Sequence, residues 1–345
     1  MNKRVLIIGP FSPGALPESF ARAFEQLGHE VFRFDSDRAY FDAGLGAAYR
    51  LVRGMRKRTF WDRVNRSTIE VARCVRPQLI LAVKGTYLHP ETIRRLRGEL
   101  GVAFANYYPD DPYIGVPWNP HKLSNQRTDL MEALRQYSRV WLWERRLVQR
   151  LAANGVAASY LPFGVDQEVF YPHAPADCVE CGESHAAVFI GQHHDKRQAH
   201  IAAVHRHRVG VWGGRWDGAQ RAFRGRHTIH RNPAFGSNCA CLYAGAAVAL
   251  NVLADHNVPG HNMRTFEVPA SGGVMLATYT VEQHEFFPEN EAALYYRNPG
   301  EIDDKIERVL KDPQWAARLR QQAMTIAAQH HYTERVKVVL AELAD

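Results

Sequence analysis

Short runs of unbroken apolar residues alternate along the chain with longer stretches whose apolar side chains recur every three or four positions, and the alternation runs through twice. The first series opens on "VLIIG" (5–9), a helix near 16–28 and "VFRFD" (31–35). It continues through a helix near 62–75, "LILAV" (79–83), a helix over 90–100 and "VAFANYY" (102–108). A helix near 124–136, "RVWLW" (139–143), a helix over 144–154 and "ASYLP" (158–162) close it. The second series begins at "AAVFIG" (186–191), with a helix near 195–205, "VGVWG" (209–213), a helix near 237–245 and "AVALNVL" (247–253). A helix near 263–271, "VMLAT" (274–278), "ALYY" (293–296) and two or three terminal helices follow.

Strands that are apolar on both faces and separated by helices belong to parallel sheets. The stretch between the series, "FGVDQEVFYPHAPADCVECGESH" (163–185), is rich in Pro, Gly and acids, has no period and reads as a linker. The expected organisation is α/β with two doubly wound, Rossmann-like domains, 1–165 and 186–330, joined by the linker 166–185. The helix in 331–345 is expected to return to the first domain. Such a pair of sheets faces across an interdomain cleft, where ligands of these folds bind.

With 46% apolar and 23% charged residues, the 345-residue chain has a globular composition. The start, "MNKRVLIIGPFSPG", has too few apolar residues for a secretory leader, and no window approaches the ~20 that a membrane span needs. A cytoplasmic protein is the expectation. The net charge of +7 admits a nucleic acid, an anionic membrane or a phosphorylated small molecule as partner. The densest basic patches, "RGMRKR" (53–58) and "HRHR" (205–208), lack the interleaved aromatics of a base-stacking surface and read as solvated faces. Five cysteines, an odd number without a leader, argue against a disulfide framework. Cys178, Cys181, Cys239 and Cys241 have poor zinc spacing and read as incidental thiols, so no metal is expected.

Candidate chemistry gathers after the second-series strands. In "HNMRTFEVPASGG" (261–273), Asn262 is a good helix N-cap. A helix starting at about Met263 would aim its free amides at an anion. Arg264 sits in that first turn, where a cation wants a compensating negative charge, and Glu267 shares its face. A carboxylate there suits the two hydroxyls of a ribose, while an ordinary surface ion pair with Arg264 is the plainer reading. In "FIGQHHDKR" (189–197), a strand ends at Gly191 and a basic helix start carries Lys196 and Arg197, a plausible phosphate cradle. Gly213 in "VWGGRW" lets a backbone approach a flat ligand, and Trp212 beside it either borders a nucleobase or is core.

These residues carry a resemblance. "NMRTFEVPASGGVMLATYTVEQHEFF" with "LYYRNPGEIDDKIERVLKDPQWAARLRQQA" and "HHYTERV" resembles the C-terminal domain of the CgeB-like branch of the group-1 glycosyltransferases, which have the GT-B fold. "YLPFGVDQEVFYP" (160–172) is similar to the domain crossing of such enzymes. The resemblance implies that Glu267 holds the donor ribose, that Arg197 with Lys196 faces the donor diphosphate, and that Asn262 and Arg264 make this branch's own phosphate or sugar contacts. Where many relatives have a second Glu, this chain has Pro259.

The implied function is metal-independent transfer of a sugar from a UDP-, GDP- or dTDP-sugar to a hydroxyl on a glycan, a small molecule or a macromolecule. Acceptor contacts are expected in loops after first-series strands, with Ser12, Gly14 and Lys84 as candidates. Asp110 or Asp111 in "PDDP" would be the base if the reaction inverts configuration, although Asp and Pro also suit a simple turn. The competing readings are a sugar-nucleotide epimerase on the same fold and a basic protein that binds or glycosylates DNA.

Overall fold

The computed structural model of the chain describes residues 2–12, 14–41, 57–113, 129–174, 178 and 185–344. The chain divides into two compact units, Met1–Pro162 with Arg335–Asp345, and Phe163–Glu334. Each is built on one six-stranded parallel sheet.

In the first unit the chain runs β1 (Arg4–Gly9), α1 (Leu16–Gln26), β2 (Glu30–Asp35), α2 (Ser36–Phe41), α3 (Lys57–Val75) and β3 (Leu79–Val83). Then come α4 (Pro90–Leu100), β4 (Ala103–Tyr108), α5 (Leu130–Gln136), β5 (Val140–Leu142), α6 (Arg145–Ala152) and β6 (Ala158–Tyr160). The strand order is β2-β1-β3-β4-β5-β6. Local chemistry sets the helix limits. Pro90 occupies the first turn of α4, where no amide partner is lost, and Gly101 ends it at φ 65° while returning its N–H to the Arg97 carbonyl. Glu144 caps α6 by accepting from the amides of Arg146 and Leu147. The basic run 53–56 and the start of the helix expected over 124–136, residues 124–128, lie outside the described residues.

The second unit holds β7 (Ala187–Ile190), α7 (Asp195–Ala202), β8 (Val209–Trp212), α8 (Gln220–Phe223), β9 (Thr228–His230), α9 (Ser237–Gly245) and β10 (Val248–Asn251). It continues with α10 (Arg264–Ala270), β11 (Met275–Thr278), α11 (Val281–Phe286), β12 (Leu294–Tyr296), α12 (Ile302–Lys311), α13 (Pro313–Ala327) and α14 (Tyr332–Glu342). The order is β12-β11-β10-β7-β8-β9. Phe189, Val211, Leu250 and Leu276 from four of these strands meet Trp216, Phe223, Ile302 and Ile306 in one core. β9 and α11 were not legible in the sequence. "TIH" sits among arginines and histidines without an apolar run, and "VEQHEF" is under two turns long.

The cysteine expectation fails. Cys178 and Cys241, 63 residues apart, form a disulfide with their Cα atoms 5.5 Å apart. Counting cysteines tests for a multi-bridge framework, whereas one bond needs only a fold that lays the linker against α9. Cys239 on the same helix is buried and takes no part in the disulfide, Cys74 is exposed, and Cys181 lies outside the described residues. Among the described residues no group of three His, Cys, Asp or Glu side chains could hold a metal ion, and no helix is long and apolar enough to cross a membrane.

The last helix is shared between the units. Its start belongs to the second unit, where Val165 pairs with His331, and from Arg335 onward it belongs to the first. There the Arg335 guanidinium donates to the Pro162 carbonyl and the Trp141 indole donates to Glu342. Val336 and Val339 are fully buried, while Val338 between them is 40% exposed. Replacing both buried valines by alanine is expected to lower stability in urea titrations by about 3 kcal/mol, at ~0.8 kcal/mol per buried methylene. Val338→Ala is expected to stay within about 0.5 kcal/mol.

Candidate active site

The second sheet grows outward from β7 through β8 to β9, and then resumes on the other side of β7 with β10. Helices leaving β7 and β10 therefore cover opposite faces, and a crevice opens between the carboxyl ends of those two strands. Gly191 follows β7 at this point. Its amide donates to the Trp212 carbonyl and its own carbonyl accepts from the Trp216 indole. A Cβ on Gly213, at φ 138°, would lie 2.1 Å from the Gly191 oxygen, and a Cβ on Gly191 would lie 2.8 Å from Nη2 of Arg264. Gly213 needs glycine because two backbones converge there, and a side chain at Gly191 would displace the Arg264 guanidinium.

Arg197, on α7, crosses the crevice. Nη1 donates to the Gln192 carbonyl after β7 at 2.9 Å, and Nε reaches toward the Val252 carbonyl after β10 at 3.4 Å. Burial, and then the charge of Arg264, bring its pKa down to about 10. Among the described residues no carboxylate neutralises it. Two guanidiniums thus share a poorly solvated crevice, an arrangement that is unfavourable unless an anion joins them. Arg264 in turn interacts with Glu267 and with the hydroxyl of Tyr243, which α9 buries. Glu267 is 9% exposed, so the plain surface ion pair is not what the fold builds. Burial raises its pKa to about 7 against the opposing pull of Arg264, and the nearby Asp166 carboxylate adds to the rise.

A buried amide network fixes Arg264 in place. Asn262 and Asn251 exchange hydrogen bonds through both amide groups, at 2.8 and 3.0 Å. Asn251 also donates to Gln283 at 3.2 Å, and the Thr265 hydroxyl donates to the same Gln283 oxygen at 2.9 Å. Asn262, just before the N-cap Met263, also accepts from the Thr265 amide at 3.3 Å, so its side chain is engaged within the protein. Of the first-turn amides, those of Thr265 and Phe266 donate to the carbonyls of Asn262 and Met263. The seven-residue α10 contributes Arg264 and Glu267 as side chains. Lys196 is tied to Asp255 at 2.7 Å, and Trp212, 7% exposed, stacks face to face on His230 at 3.9 Å. Of the residues expected on the donor side, the fold thus brings together Gly191, Gly213, Arg197, Arg264 and Glu267, and sends Lys196, Trp212 and Asn262 to other partners.

In the first unit, Lys84 follows β3 at φ 69°, an uncommon conformation for a side chain with a Cβ. Its ammonium lies 2.6 Å from Asp110, which follows β4. Asp111 accepts from the Tyr113 amide at 2.8 Å, as an aspartate does in a turn. Ser12 and Gly14 lie in the turn before α1, where the Ser12 carbonyl accepts from Ala15. Sequence reasoning missed Asn251, Asp166 and Tyr243. Asn251 had a signal, an amide interrupting the apolar run "AVALNVL". Asp166 and Tyr243 reach Arg264 and Glu267 from segments distant in sequence and had none.

Residues 190–341 match the family described as glycosyl transferase-like. No curated protein matches the chain. Among solved structures, sucrose-phosphate synthase from Thermosynechococcus elongatus aligns with a TM-score of 0.71 at 13% identity, covering 99% of this chain and 98% of the other. HepE from Anabaena, solved with UDP-glucose, aligns at 0.65 and 12% identity over 99% and 100% of the two chains. A glycosyltransferase from Rickettsia africae gives 0.66 at 11% identity over 99% and 97%. At such identities the likeness is one of fold, and the fold is GT-B.

The raised pKa of Glu267 has a measurable sign. Unfolded, the carboxyl ionises near 4.5, and folded near 7, so the native state holds the proton more tightly through that window. Stability is present in full below pH 4.5 and falls as pH rises to 7, by about 3 kcal/mol for this group. Urea titrations across that range are expected to show the fall in the wild type and to lack it in Glu267→Gln.

Proposed function

We propose that the protein transfers a sugar from a nucleoside diphosphate donor to a hydroxyl acceptor. The observation that carries this reading is the pair of guanidiniums at the switch point, Arg197 bonded to two carbonyls with no carboxylate partner among the described residues, and Arg264 beside it. A diphosphate supplies the charge they lack. Glu267, with a pKa of about 7, is able both to accept from and to donate to ribose hydroxyls. As the bond from sugar to diphosphate breaks, the sugar acquires oxocarbenium character and negative charge gathers on the departing group. Arg197 and Arg264 stabilise that charge where it develops, and they are already oriented before the donor arrives. With two fixed cations there, the transfer needs no metal ion. The glycosyl transferase-like match and the fold shared with a protein solved with UDP-glucose support the reading and favour UDP as the first probe.

Membership of the CgeB-like branch rests on "NMRTFEVPASGGVMLATYT" (262–280), and the acceptor is assigned to the first unit on Lys84 and Asp110, with Ser12 and Gly14 in a neighbouring strand-end loop. Asp110 would take the acceptor proton if configuration is inverted, with Lys84 beside it at 2.6 Å. A hexosyl donor and a cytoplasmic setting belong to the same proposal.

The test is a thermal-shift panel of UDP, GDP, dTDP, ADP and CDP with EDTA present. One diphosphate at ~100 times its Kd is expected to add about 2.7 kcal/mol, a shift of a few degrees. Arg197→Gln and Glu267→Gln are expected to remove the shift while remaining folded. No shift with any nucleotide at millimolar concentration would overturn the donor site.

A further inference from the structure

The disulfide belongs to the same unit as this site, and α9 connects the two. Cys241 bonds to Cys178, which comes from the segment before β7. Two residues further along α9 is Tyr243, 2% exposed, whose hydroxyl interacts with the Arg264 guanidinium. At 3.6 residues per turn, positions 241 and 243 lie on roughly opposite sides of a helix, whereas Cys239 and Tyr243 share a face. One side of α9 is therefore bonded covalently to the linker and the other side touches the guanidinium over Gly191. Gly236 at the start of the helix offers no side-chain cap, and the helix has neither an acidic first turn nor a basic last turn. Its nine residues are too few to be stable without tertiary support.

We infer that the Cys178–Cys241 bond controls the affinity of the second unit for the diphosphate of its ligand, by fixing α9 so that Tyr243 holds Arg264 across from Arg197. This inference rests on the donor-site reading above. With the bond closed, Arg264 is oriented before the ligand arrives. With the bond open, α9 is freer, Arg264 loses its hydroxyl support, and part of the binding energy goes into ordering it again. In a cytoplasmic protein the thiol pool would reach such a bond, and bonds of that kind are usually redox-sensing.

The chemistry is ordinary thiol exchange. Cys178 is partly exposed and Cys241 is buried, so a reductant thiolate attacks Sγ of Cys178. The sulfur–sulfur bond breaks, Cys241 leaves as a thiolate and takes a proton, and Cys178 is left in a mixed disulfide. The second thiol of a dithiol reductant then closes its own disulfide and releases Cys178. The protein gains two electrons and two protons, and the dithiol loses them. A small disulfide oxidant reverses the exchange.

The test is calorimetric titration of the full chain with inorganic pyrophosphate and with UDP. Oxidised wild type, dithiothreitol-reduced wild type, Cys178→Ser, Tyr243→Phe in both redox states and Cys74→Ser are compared, with near-UV circular dichroism confirming each fold. Reduction and Cys178→Ser are each expected to weaken both ligands on the order of tenfold, within the usual range for coupling between sites. Tyr243→Phe is expected to weaken them similarly, and its reduction to add nothing, because the route from the bond to Arg264 is already cut. Cys74→Ser is expected to bind as wild type does. Equal affinity in both redox states of the wild type would overturn the inference and leave the donor site standing. A full redox effect persisting in Tyr243→Phe would overturn the route. Binding by no form of the protein would overturn the donor-site reading, and this inference with it.

Discussion

The clasp between Asn251 and Asn262 is the interaction on which the second unit's functional edge depends. Two carboxamides that exchange both hydrogen bonds away from water are stable as a pair and costly singly, because removing one leaves the other's donor and acceptor buried and unsatisfied. Asn251 terminates β10 and Asn262 precedes α10, so the clasp sets where Arg264 and Glu267 emerge relative to the sheet. Gln283 and Thr265 extend the same network to α11. His261, next in line, accepts from the Phe163 amide and meets Glu282 at 3.0 Å, which ties the unit's first residues to the same corner. Positioning is thus achieved by polar groups that hold one another, and the charged groups are left for a ligand.

The charge distribution follows from this division of labour. Even the partly exposed lysines near these strand ends are answered by carboxylates, Lys196 by Asp255 and Lys84 by Asp110. Arg197 departs from this pattern, and the departure coincides with a crevice dictated by strand order alone. Topology and electrostatics are separate observations that select the same place in the second unit.

Much of the fold was legible in the sequence because parallel strands buried on both faces read as unbroken apolar runs. "LILAV" occupies Leu79–Val83 and the helix over 90–100 is Pro90–Leu100, as the pattern required. Elements failed to show where burial is partial, as in Thr228–His230, whose three residues are all half-buried. The site was legible in part for a different reason. Gly191, Arg197, Arg264 and Glu267 lie on segments that the periodicity had already placed at strand ends. Whether Asn262 faces a ligand or Asn251, and whether Lys196 faces a phosphate or Asp255, depends on partners 11 and 59 residues away. Spacing along the chain carries no information of that kind. The disulfide escaped for the same reason, since its cysteines are brought together by the packing of a linker on a helix.

The split membership of α14 has a consequence for synthesis. The first unit is made first, yet Val336, Val339 and the Glu342 partner of Trp141 are made last. A ribosome that has released residues 1–162 has released a unit with an open seat, and that seat is filled only after all of Phe163–Glu334 has emerged. The nascent chain cannot complete its units in the order in which they are translated. Its first domain is finished last, by a segment that arrives only once the second has been made.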